Sequence, residues 1–308
     1  MSGKSTPDLA IEAHEAVSAK KDEVNGISVE HENANDGITI TRVIVKDKNG
    51  ERNIGKPVGR YITIEMPPEF YGQQTVYEKM CKICADELKS MVDKIISKND
   101  TVLAVGLGNS SITADSLGPK VISSLMITRH LKEYIPKEID ESIRPVCAIS
   151  PGVLGTTGIE TEEIVKSIAE KIKPKLVIVI DALCSGNIKR INSTIQLTDT
   201  GITPGGGVGN KRKTINKNTL DIPVIAIGVP TVVDAATIAN EGVNFVLNKD
   251  TSDEHDEISA ALNERFGNLI VTPKDVESAT DNIASVIANG INISLHKGIT
   301  LSDIDRYV

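Results

Sequence analysis

The sequence predicts a doubly wound α/β fold, a mixed and largely parallel sheet flanked by helices. Three observations carry that expectation. From residue 101 onward, short β-branched apolar runs alternate with amphipathic helical patterns, the rhythm of strand–helix–strand units. The chain has no Trp and only 3% aromatic residues, so its core is built from Ile, Val, Leu and Ala, which suits strands buried on both faces. Finally, the apolar runs end at Gly, Pro or Asp, the residues that turn a chain out of a sheet.

Taken in order, residues 1 to about 36 are polar and charged, with a weak helical pattern after Leu9, and read as an arm. "GITITRVIVKD" and "GRYITIEMP" alternate as strands on either side of "KNGE", predicting an antiparallel hairpin at about 37–66 around an Asn-Gly turn. "VYEKMCKICADELKSMVDKII" has helical periodicity. Then come the strands "TVLAVGL", "VCAIS", "LVIVIDAL", "STIQLTD" and "PVIAIGVP". The intervening or following helices are "SLGPKVISSLMI", "IETEEIVKSIAEKI" and "TVVDAATIANEGVNFVL", and "VESATDNIASVIANGINISLH" closes the chain. With 308 residues, one main domain is expected.

Composition narrows the function. A net charge of −8 disfavours nonspecific nucleic-acid binding. The N-terminus lacks an apolar signal region and no run reaches membrane-spanning length, which predicts a cytoplasmic protein with reduced thiols. Cys81 and Cys84 form a CxxC, but no second half-site accompanies them and they fall within a helix, so they read as buried thiols. The histidines show no HExxH spacing and the serines no GxSxG elbow, which argues against zinc and serine hydrolases.

In doubly wound sheets, ligands and reacting groups gather beyond the carboxyl ends of the strands. Two carboxylates belong there, Asp115 in "GLGNSSITADSLGP" and Asp181 at the end of "LVIVID". Asp181 follows five apolar residues, so burial is expected to raise its pKa. Each also has a plain alternative, Asp115 as the N-cap of the next helix and Asp181 as the cap of the following segment. If the two converge, they share a proton, one serving as base and the other as acid. "GLGNSS" is a weak dinucleotide fingerprint, because Ser111 stands at its last glycine position. The loop "TGITPGGGVGNKRK" reads either as a mobile segment or as a grip on a substrate.

The stretches "VLAVGLGN", "DSLGP", "SPGVLGTTGIETEEIV", "KPKLVIVIDAL", "RINSTIQLTDTGITPGGGVGNKR" and "TLDIPVIAIGVPTVVDAATI", covering roughly residues 100 to 240, together resemble the germination protease family of endospore-forming bacteria. The resemblance implies an atypical aspartic endopeptidase on a fold similar to hydrogenase maturation proteases, without a cofactor and assembled as a homotetramer. Its substrates would be small acid-soluble spore proteins, in the cytoplasm of the forespore and the spore core. The family's two proposed catalytic acids fall on Asp115 and Asp181. It also implies a zymogen cut at a site resembling the substrate's own, an acid, an apolar residue, Ala, a variable residue and Glu. "TPDLAIEA" matches, so residues 1–8 are expected to be a propeptide cut between Asp8 and Leu9, with residues 9–308 forming the protease domain. Arg190, Lys211 and Arg212 are candidates to contact the substrate's acids. The chain departs from the family pattern at Ala114, where Pro is usual, and in "CSGNIK" after Asp181. Two other readings are a peptidase using the same acids to hold Mg, Ca or Mn, and a nucleotide-binding regulator built on the two glycine-rich loops.

Overall fold

The computed structural model describes residues 8–18, 24–67, 72–208, 212–246, 253–267 and 269–304. Its centre is a nine-stranded sheet: β1 (Ile27–Asn33), β2 (Thr39–Val45), β3 (Gly59–Glu65), β4 (Val102–Gly106), β5 (Val146–Ile149), β6 (Leu176–Ser185), β7 (Thr194–Thr198), β8 (Val224–Asp234) and β9 (Ile270–Val271). The spatial order is β1-β2-β3-β7-β8-β6-β4-β5, with β9 pairing a projecting end of β8. β8, β6, β4 and β5 run parallel to one another, whereas β1, β2, β3 and β7 form an antiparallel wing joined antiparallel to β8.

Because side chains alternate across a strand, β6 feeds two cores. Ile178 and Ile180 pack with Met80 and Leu88 of the helix Gln74–Val92 and with Ile283 and Ile287 of the helix Val276–Leu295. Val177 and Val179 point the other way, toward Val165 and Ala169 of the helix Thr161–Ile172. Helices therefore cover both faces, and the doubly wound mixed sheet expected from the sequence is present. Cys81 and Cys84 are fully buried, and burial pushes both thiols up to about 12. Cys84 lies where a side chain on Gly290 would have to go, so the two long helices meet through a thiol and a missing Cβ.

The structure differs from the sequence reading in three places. "KNGE" does not form a tight turn: residues Lys48–Ile54 are a short helix between β2 and β3. The Asp47 side chain accepts the Asn49 and Gly50 N–H groups, an N-cap that outcompetes the hairpin turn. The polar arm contains order as well. The helical pattern after Leu9 is the helix Ala10–Ser18, but its first turn is buried where an arm was expected, and Ile27–Asn33 is an edge strand whose exposed Glu and Asn side chains hide its strand character. Lastly, β6 and β8 run past the points where turns were expected. Asp181 sits inside its strand, and "VPTVVD" extends β8 rather than opening a helix.

Candidate active site

The overrun of β6 and β8 places the site. β4 leaves the sheet after Gly106, whose partner on β6 is Ile180, so Asp181 is the first β6 residue without a β4 neighbour. The chain departing from β4 returns as a short 3-10 turn, Thr113–Asp115, followed by the helix Leu117–Ser123. Glycines make that return possible. A Cβ on Gly118 would lie 2.2 Å from Leu107 O, and one on Gly108, at φ +112°, would lie 2.0 Å from Asp115 O. The motif "GLGNSSITADSLGP" is thus a tight backbone fold that carries Asp115 back toward β6.

Asp115 does not cap the helix. Ser116 holds that position, while an Asp115 carboxylate oxygen accepts the Asn109 N–H at 2.9 Å. Nor does the loop present its amides to a phosphate: the Asn109 N–H is spent on Asp115, and the Ser111 N–H is bound by Asn109 Oδ1. The main-chain carbonyl of Ala114 accepts the Thr231 hydroxyl of β8 at 2.6 Å, which ties the turn before Asp115 to the neighbouring strand.

Asp115 and Asp181 line one cavity of about 490 Å³, and Asp8 shares it. Asp181 is buried, and its carboxyl is held well above the ordinary carboxylate range by desolvation first, then by the charges of Asp115 and Asp8. Burial also raises Asp115, against the Asn109 N–H, and raises Asp8, against the Cys184 N–H and Lys56. Acids coupled in this way titrate as a group, so some protons remain on the cluster after isolated carboxyls have ionised. Cys184 borders the same cavity, but its thiol is pushed up to about 12 and is no thiolate nucleophile at neutral pH.

The N-terminal segment lies along this cleft. The Asp8 carboxylate accepts the Cys184 N–H at 3.0 Å, beside a β-bulge between Leu183 and Cys184. Gly207 of the glycine-rich loop closes over it, since a Cβ there would stand 2.1 Å from the Asp8 carboxylate. Leu9 is fully buried with Ile11, Leu183 and Ile202. Ala10 donates its N–H to Gln196 Oε1 at 2.7 Å. Glu12 accepts the Ser185 hydroxyl at 2.8 Å and the Gly186 N–H at 2.9 Å. The departing run "CSGNIK" therefore supplies the groups that hold Asp8 and Glu12.

The basic candidates separate. Arg190 is buried outside the acid cavity, where it pairs with Glu15 through two nitrogens, with Glu65 at 3.1 Å and with Glu12 at 3.7 Å. Arg212 lines the acid cavity and lies 3.8 Å from Glu160. Lys211 lies outside the described residues. Among the described residues, no group of three or more His, Cys, Asp or Glu is arranged to hold a metal ion, and no helix is long and apolar enough to cross a membrane. Sequence reasoning missed Thr231, Gln196 and Lys56. Only Gln196 left a signal, as an amide in the otherwise apolar and hydroxylic strand "STIQLT".

Residues 5–263 match the family model described as "Germination protease". Proteins of that name from Clostridium tetani and Clostridium acetobutylicum are 47% and 46% identical, each match covering 98% of both chains. One from Bacillus cereus is 39% identical over 97% of this chain and 96% of its own. Among solved structures, a [NiFe] hydrogenase maturation protease, HycI, from Thermococcus kodakarensis is similar at a TM-score of 0.34 and 17% identity, covering 65% of this chain and 98% of that one. The family model and the curated relatives make the chain a protease. It belongs to the germination protease family.

Proposed function

We propose that the chain is an endopeptidase that degrades small acid-soluble spore proteins during germination. It is made as a zymogen that cuts itself between Asp8 and Leu9. One observation carries the reading: Asp8, the residue before the proposed cut, occupies the same cavity as Asp115 and the buried Asp181. With one acid protonated and one ionised, the pair provides a general base for water and a general acid for the departing amine.

Acid before the cut, apolar residue after it, then Ala and Glu is also the order in which Asp8, Leu9, Ala10 and Glu12 find their partners. A protein substrate would offer the same chemistry to the same groups once the propeptide has left. In this reading Arg190 supports the Glu12 position, and Arg212 and Lys211 meet acidic residues on the other side of the cut. The enzyme acts as a homotetramer in the cytoplasm of the forespore and the spore core.

The test is intact mass over time for the full chain at mildly acidic and neutral pH, with and without chelator, beside Asp181→Asn. Loss of Met1–Asp8 in the wild type alone, indifferent to chelator, is expected. Processing that requires an added divalent ion would replace the acid pair with a metal mechanism. Sedimentation of the processed chain checks the tetramer.

A further inference from the structure

Asp8 borders a second cavity, of about 320 Å³, which shares Asp8 and Leu183 with the acid cavity and contains Lys56. The Lys56 ammonium donates to the main-chain carbonyl of Asp8 at 2.9 Å. Under the cleavage reading above, on which this inference rests, that oxygen belongs to the bond that is cut. The acids and the lysine therefore reach Asp8 from two different cavities.

The lysine is held in place. The helix Lys48–Ile54 ends at Gly55 in the left-handed region, Pro57 follows Lys56, and the Pro57 carbonyl accepts the Tyr61 hydroxyl at 2.9 Å. A lysine between a left-handed glycine and a proline, tied down to β3, has little backbone freedom. It is also half-buried, facing Asp8 and Glu12, whose charges oppose the lowering of its pKa by desolvation.

We propose that Lys56 is a catalytic residue of this cleavage, the cation that holds the carbonyl oxygen of Asp8 and stabilises the charge that develops there. Water bonds to the carbonyl carbon and gives a proton to the ionised member of the Asp115–Asp181 pair. The carbonyl π electrons move onto the oxygen bound by Lys56. When the tetrahedral species collapses, that electron pair reforms the carbonyl, the bond to the Leu9 nitrogen breaks, and the nitrogen takes a proton from the pair. One water is consumed and no other reactant is required. A charge-assisted donor on a developing oxyanion contributes about 10²–10³-fold in rate.

The experiment follows self-processing of the full-length wild type, Lys56→Met, Lys56→Gln and Lys56→Arg by intact mass across pH. Hydrogen exchange of residues 10–18 is measured alongside, as a readout of whether the segment stays seated. Lys56→Met is expected to slow processing about 100-fold or more with protection of residues 10–18 retained. Lys56→Arg is expected to recover to within about tenfold of wild type and to move the alkaline limb of the pH profile upward, because guanidinium keeps its proton where a desolvated ammonium loses it. Lys56→Gln keeps a neutral donor and covers the case in which the Met variant does not fold; a loss of about tenfold or more is expected there. Processing of Lys56→Met within about threefold of wild type would overturn the proposal. So would a rate loss matched by an equal loss of protection, which is the signature of a clamp. If the wild type itself is not processed, the cleavage reading falls and takes this role with it, a result the control distinguishes from the others.

Discussion

The carboxylate of Asp8 accepts the backbone N–H of Cys184 at 3.0 Å, three residues beyond Asp181 on the same strand. β6 therefore carries a buried acid and, a little further on, grips the chain that approaches it. Two groups carried on one strand keep their spacing fixed, which is what the proposed cleavage would require.

Asp181→Asn is expected to abolish processing and to raise stability. The native state holds a proton on Asp181 that the unfolded chain releases above the ordinary carboxyl value of 3.8, so its contribution to stability falls as pH rises from there through the raised native value. Asn removes that decline. Thermal denaturation should show the variant more stable than wild type at pH 7, by about 1 kcal/mol or more, with the difference smallest near pH 4.

Asp115→Asn should also stop processing and shift stability in the same direction as Asp181→Asn, because burial raises this carboxyl too, but by less. An amide oxygen can accept the Asn109 N–H that the carboxylate accepts now, so the loop keeps its hydrogen bond. A stability change below about 1 kcal/mol by urea denaturation, beside lost activity, is the expected pattern.

Gly118→Ala tests the close approach behind Asp115. Gly118 lies in the helix Leu117–Ser123, where alanine would ordinarily add about 1 kcal/mol of helix propensity. Here its Cβ would stand 2.2 Å from Leu107 O and 2.5 Å from Leu107 N. We expect destabilisation of about 3 kcal/mol or more, read from the denaturation midpoint, together with loss of processing as Asp115 is displaced.

Thr231→Val keeps the shape of the side chain but removes the hydroxyl bound to the Ala114 carbonyl. The expected cost is about 1–3 kcal/mol, with a slower processing rate, and Thr231→Ser should restore both.

Arg190→Met removes the cation from among Glu12, Glu15 and Glu65 and leaves the buried Glu12 without the Arg190 charge, though its bonds from Ser185 and Gly186 remain. A loss of about 3 kcal/mol is expected, accompanied by faster hydrogen exchange in residues 10–18. Adding Glu12→Gln should recover part of it, a coupling that a double-mutant cycle measures.

How much of this was legible in the sequence follows from which forces act locally. The central strands and the long closing helix were plain, because a continuous β-branched apolar run such as "LVIVID" and the period-3.6 apolar pattern of "NIASVIANGINI" stand directly in the sequence. Asp115 and Asp181 were legible because each interrupts an apolar or glycine-rich run at the expected edge of the sheet. The helix Lys48–Ile54 was not, since the preference of Asn-Gly for a turn is overridden by the Asp47 cap and by Gly50, where a Cβ would lie 2.3 Å from Gly26 O. β1 was hidden because an edge strand with solvent on its flank needs no apolar alternation. Lys56 and Thr231 gave no signal at all. Their roles depend on partners 48 and 117 positions away, and local pattern carries no information about such distances.

Among the described residues, strands β1 to β3 join the sheet through β7, which lies more than a hundred positions later in the chain. The order of events during synthesis follows from that connection. Asp8 is made 176 residues before Cys184, which at cellular rates of elongation is a lead of roughly 9–35 s. The strand that grips it does not exist during that interval, although Val43, Val45, Ile54 and Tyr61, on which the first helix packs, are already made. The grip on Asp8 is therefore completed by residues made long after it, and the Asp8–Cys184 contact closes only once β6 has joined the sheet.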